Sequence, residues 1–167
     1  METSTIYPSD QFTYKYLIGP VETPVEIDGT IKEGNCRLAL QLYFYRIHKK
    51  FLERDEVYLP GGYKTLGHFV FKEEPISFDK LKEGDILYAQ NFRNKKGEEL
   101  HRDLETYKNK DEWLYHLHSA IYVGKIDKDS DEHYIWHATN IEGGTALWAL
   151  EKFQYYYKPI SVKRVTV

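Results

Sequence analysis

A single cysteine, Cys36, and a single methionine are all the sulfur this 167-residue sequence contains. A lone thiol cannot close an internal disulfide, so nothing in the composition calls for an oxidising compartment. Basic charge is not in excess either: 23 Lys and Arg stand against 26 Asp and Glu, a net charge of −3. Nucleic acid is thereby disfavoured as a main partner, because its binders neutralise phosphate with basic patches. No apolar run approaches the roughly 20 residues of a membrane-spanning helix. The opening METSTIYPSDQFTYKYLIGP has neither the basic start nor the long apolar stretch of a secretory leader. These absences predict a soluble protein, cytoplasmic as the sequence stands and extracytoplasmic where a leader has been removed. Internal repeats and low-complexity tracts are lacking too.

What is present is a chain of ordinary globular composition, 41% hydrophobic and 29% charged, with 15 tyrosines clustered in words such as LYFY and QYYYKP. Such aromatics fill a small core and its wet rim, or form the walls of a ligand groove. Residues 1–29, with Pro8, Pro20 and Pro24, predict an irregular arm holding one short strand at TPVEID. Residues 30–167 predict one globular domain, long enough to bury a proper core. GNCRLALQLYFYRIHKKFL carries Cys36, Leu40, Tyr43, Phe44, Ile47 and Phe51 at helical spacing, with Arg37, Gln41, His48 and Lys49 mostly off that stripe. Asn35 is a candidate N-cap for this helix. A turn at Glu83-Gly84-Asp85 leads into the strand of DILYAQ. Two further strands, HSAIYVG and HYIWHAT, flank a charged turn, and TALWAL and ISVKRVTV follow around a short helix near EKFQYYY. One helix followed by consecutive strands predicts an α+β domain, a helix packed on an antiparallel sheet.

Cys36 falls at the first helical position, where unpaired amides and the helix dipole favour negative charge. That setting suits a thiolate nucleophile, although a buried cysteine more often packs as a small hydrophobe. In the hairpin, His118, Ala120 and Tyr122 share one strand face, and His133, Ile135 and His137 share one on the partner strand. With the turn near residues 127–131, His118 and His137 become neighbours across the ladder. One imidazole can then take the thiol proton while the second holds it in the useful orientation.

Four words in order, NCRLALQLYF, LKEGDILYA, HSAIYVG and IWHAT, resemble the NlpC-type cysteine peptidases of bacteria, a papain-like family. The closing EKFQYYYKPISVKRV is also similar to the end of such domains, so the resemblance spans residues 30–165. It implies a papain-like α+β domain without cofactor or metal, in which Cys36 is the nucleophile, His118 the general base and His137 the orienting residue. The substrate implied is a peptide or amide, such as a cell-wall-type peptide. The chain departs from the family's usual D-C-S-G, with Asn35 and Arg37 flanking the cysteine. This change suits an acidic substrate, with Asn35 and Arg37 at its binding site. The polar segment Asn91–Trp113 is longer than the family's usual link, a flap over the groove or a solvated insertion.

Three alternatives accompany this expectation. Lecithin:retinol-type acyltransferases share the H-x-A-I-Y-V-G strand, but their cysteine follows the histidine in the chain. His116 and His118, with His133 or His137, have the spacing of a zinc site, which leaves Cys36 unexplained. A non-catalytic binding module on the same fold is the third.

Overall fold

The computed structural model of the chain describes residues 24–27, 30–33, 36–58, 65–69, 76–125, 129, 131–142 and 144–166. Asn35, residues 1–23 and most of the expected 127–131 turn lie outside the described residues. In chain order the elements are β1 (Pro24–Ile27), β2 (Thr30–Glu33), α1 (Cys36–His48), β3 (Thr65–His68), β4 (Ile86–Asn91), α2 (Lys110–Tyr115), β5 (His118–Lys125), β6 (His133–Thr139), β7 (Gly144–Ala149), α3 (Leu150–Tyr156) and β8 (Tyr157–Lys163). β1 and β2 form a two-stranded hairpin, and the expected strand at TPVEID is the first of the pair. The other strands make one six-stranded antiparallel sheet in the order β3-β8-β4-β5-β6-β7. The α+β expectation is met, with three α-helices among the described residues where the sequence predicted one long helix and a short one near EKFQYYY.

The sheet is covered on both faces. α1 lies across β5 and β6, where its Leu40, Tyr43 and Phe44 meet Ile86, Tyr88, Ile121 and Trp136. On the opposite face α3 brings Phe153 to Leu87, Ala120, Ile135 and Trp148. The central strands therefore bury both alternating sets of side chains, which explains why their sequences read as nearly continuous apolar runs.

The helix corrects one expectation. Periodicity placed Arg37 and Gln41 off the apolar stripe, yet both are buried along with every residue from Leu38 to Phe44. Gln41 Nε2 donates to Leu52 O at 2.9 Å and Arg37 Nη2 to two further main-chain carbonyls, so these nitrogens are satisfied where they are buried. Phe51 lies beyond the end of the helix at His48. Lys49 there takes a left-handed conformation, φ 56°, and Lys50 N donates to Phe44 O.

The Gly84-Asp85 turn has a structural task. Gly84 adopts φ 97°, which suits glycine. The buried Asp85 carboxylate accepts two 2.8 Å bonds from Arg164, and its Oδ2 accepts a third from Lys82 N. Gly84 N donates to Tyr122 O, and Tyr122 N to Asp85 O. This knot sets the start of β4 beside β5 and so fixes the strand that begins at His118.

Candidate active site

The first residues of α1 and the first residues of β5 are stitched together. Ser119 Oγ donates to the Cys36 carbonyl at 3.0 Å. Arg37 sends Nη2 to Tyr115 O at 3.0 Å and to Leu117 O, the carbonyl directly before His118. The guanidinium stacks over Tyr58, 4.7 Å from its centroid, and lies 5.5 Å from that of Tyr88. Its other nitrogen, Nη1, stands 3.8 Å from Cys36 Sγ. Arg37 is thus a buried clamp beside the thiol rather than a solvated surface charge. Nη2 is spent on main-chain oxygens rather than presented to a substrate.

Cys36, half-buried, and His118 line the same cleft, about 690 Å³ in volume. No hydrogen bond joins the two side chains. The link between the histidines is direct: His118 Nε2 and His137 Nδ1 are 2.8 Å apart. The register explains it. Ile121 faces Trp136, so one step further His137 sits beside Ala120, diagonal to His118 on the same face. The bulge at Tyr122–Gly124 absorbs one residue nearer the turn, with Gly124 at φ 88°.

The surroundings of His137 select a tautomer. The ring is fully buried, packed in T-shaped contact with Trp148 at 4.5 Å, Phe153 at 5.4 Å and Tyr157 at 5.6 Å. Its Nε2 has no hydrogen-bond partner. An N–H against aromatic faces is weakly attractive, whereas a lone pair there is not. His137 is therefore assigned the Nε2–H form, and its Nδ1 accepts from His118 Nε2–H. That leaves Nδ1 of His118 as an unprotonated nitrogen, the form a general base requires.

Electrostatics keep both rings neutral. Burial, and then the Arg37 charge, push His118 down to about 3. Burial, followed by the charges of His118 and Lys152, holds His137 well below the usual imidazole range. Tyr157, stacked on His118 at 4.2 Å, is pushed up to about 12 mainly by burial and stays a neutral phenol. Its hydroxyl bonds Thr139 Oγ1 at 2.6 Å, which fixes the ring against the base.

The zinc alternative is not supported by this arrangement. His116 caps α2 and stacks on Tyr107, off the strand that carries His118. His133 is at the far end of β6, opposite Lys125 and bonded to the Tyr122 hydroxyl. Among the described residues no three His, Cys, Asp or Glu side chains are grouped to hold a metal ion. Nor is any helix there long and apolar enough to cross a membrane. No protein-family model, curated protein or solved structure matches this chain.

Sequence reasoning did not single out Ser119, Tyr157 or the Arg37 clamp. Ser119 lies inside the HSAIYVG word, and Tyr157 inside the tyrosine cluster, so proximity to a motif was the available signal. The polar segment after β4 is part of the site. Asn91, Asn94, Lys95, Leu100, Arg102, Tyr107 and Trp113 all line the cleft, so the segment builds a wall instead of standing free in solvent.

Two outcomes follow. Arg37→Lys keeps the charge but cannot serve both carbonyls and the Tyr58 ring at once, and should lower stability by about 1.5–3 kcal/mol in urea unfolding. An unchanged midpoint would deny the clamp. The histidines set the second. The unfolded chain protonates them from about pH 6.5, while native His118 resists down to about 3. Because the unfolded state then binds more protons, stability is held above pH 6.5 and lost as pH falls towards 3. His137→Gln should flatten that acid slope in unfolding measured from pH 7 to 4.

Proposed function

We propose that the chain is a thiol hydrolase of the papain-like, NlpC type that cleaves an amide or peptide bond. The observation that carries this reading is the 2.8 Å His118–His137 contact at a cleft that Cys36 also lines. Two features add to it: the thiol opens a 13-residue helix, and Ser119 and Arg37 tether that helix start to the histidine strand.

In the proposed cycle the resting pair is a thiol and a neutral imidazole, in keeping with the lowered basicity of the partly buried His118 ring. His118 Nδ1 takes the Cys36 proton as sulfur attacks the substrate carbonyl carbon. The oxyanion that forms is held by main-chain amides at the start of α1, including that of Cys36. Arg37 Nη1, beside the sulfur, adds positive charge at the same place. The C–N bond breaks as the amine takes the proton from His118, leaving an acyl group on Cys36. Water, giving a proton to His118, then attacks the thioester, and the acid departs as the thiol is restored. His137 accepts from His118 Nε2–H throughout, keeping the ring aimed at the cleft.

Iodoacetamide tests the pair without knowledge of the substrate, since Cys36 is the one thiol present. At pH 6–7 Cys36 should react faster than a model thiol. His118→Ala should slow that reaction by about tenfold, a modest share of the usual contribution of a general base. Equal rates in the two proteins would mean that the base does not act on the thiol, leaving a binding module as the better account.

A further inference from the structure

The cleft differs in charge from the rest of the molecule. Acidic residues number 26 in the whole chain, yet none is among the described residues that line the cleft. Three cations are: Arg37, Lys95 and Arg102. The ion pairs between described residues are Lys125–Asp131, Lys152–Glu142 and Arg164–Asp85, so neither Lys95 nor Arg102 is paired with a carboxylate among the described residues. The nearby Glu98 carboxylate accepts from Asn94 Nδ2 at 2.9 Å. Both side chains are exposed at the wall that follows β4. Neutral amides of Gln90, Asn91, Asn94 and Asn140 complete the polar lining.

This wall is held in place. Leu100 N donates to Phe92 O and Asn94 N to Glu98 O, closing a hairpin after β4. Asn94 Oδ1 accepts from Lys96 N at 2.9 Å and from Glu98 N at 3.0 Å, fixing the turn beside Lys95. Arg93 anchors the hairpin to Tyr155 O at 2.7 Å and stacks on the Tyr155 ring at 4.4 Å. Trp113 Nε1 donates to Arg102 O at 3.1 Å. The cations are therefore presented by a braced segment, and a groove with one sign of charge concentrates the opposite sign within it.

We propose that the cleft selects an anionic substrate, with a carboxylate of the substrate held by Lys95 and Arg102 while its acyl carbonyl lies at Cys36. This rests on the thiol-hydrolase reading above. It moves the anion site from Arg37, whose guanidinium serves the clamp, to the wall after β4. Lysine and arginine there supply charge-assisted hydrogen bonds to carboxylate or phosphate oxygens, and the amides of Gln90 and Asn140 can bond the flanking peptide groups.

Two alkylating agents measure this directly. Iodoacetate carries a carboxylate and iodoacetamide is its neutral counterpart; with either, the Cys36 sulfur bonds the CH2 carbon, iodide leaves, and the thiol proton passes to the base or the buffer. The readout is the ratio of the two rates, compared with a model thiol in the same buffer. The expected ratio exceeds that of the model thiol and falls towards it as salt is raised. In the double variant Lys95→Glu/Arg102→Glu it should drop about three- to tenfold at low salt. The same reversal at exposed Lys82, outside the cleft, should leave it unmoved. Glutarate that slows iodoacetamide in the wild type, but not in the double variant, supports a carboxylate ligand. Protection by inorganic phosphate alone would keep the anion site and overturn the carboxylate. A ratio equal to that of the model thiol, insensitive to salt and to the double variant, overturns the proposal. The two readings fail separately: a His118→Ala rate equal to wild type removes the base but says nothing of the ratio, and a flat ratio removes the anion site but leaves the base.

Discussion

The guanidinium of Arg37 ties the start of α1 to the last residues before β5, and the geometry of the cleft depends on that tie. A helix can carry a thiol and a strand can carry an imidazole, but nothing in either element sets the distance between them. Here the residue after Cys36 binds the carbonyl before His118, and the residue after His118 binds the carbonyl of Cys36. The bonds run in opposite directions between the same two segments. Neither segment can slide or turn without breaking one of them in a buried setting, where an unmade bond is costly.

A second constraint acts on the base. The pair His118 and His137 could in principle share a proton either way round. The apolar cage of Trp148, Phe153 and Tyr157 removes that freedom by offering His137 Nε2 no oxygen. Burial that denies both rings a positive charge also keeps the unprotonated nitrogen of His118 available near neutral pH. Packing on one face of the sheet thus sets the protonation state of a group that acts at its end.

Much of this was legible in the sequence because it rests on period and order. The alternation in HSAIYVG and HYIWHAT put His118 and His137 on a common face, and the hairpin did the rest. Cys36 begins a helix, and the Gly84-Asp85 turn precedes a strand, where those words predicted them. What stayed hidden depends on long-range partners. Arg37 and Gln41 look like solvent-facing residues by helical spacing, and only the carbonyls of residues 52, 115 and 117 explain their burial. The role of the segment after β4 was equally hidden, since a polar composition fits both a cleft wall and a solvated loop. Its pinning by Arg93 on Tyr155 joins residues 62 positions apart, beyond the reach of any local pattern.

The central claim is that His118, at the cleft that Cys36 also lines, keeps an unprotonated Nδ1 because His137 accepts at its Nε2. Nitrogen-15 NMR of labelled histidines, recorded between pH 5 and 8 in the wild type and in Cys36→Ser, reads each ring nitrogen separately. The account predicts that His118 carries its proton on Nε2 and His137 on Nε2, both neutral across that range. A His118 ring protonated on Nδ1, or doubly protonated at pH 7 in the Cys36→Ser protein, would contradict it.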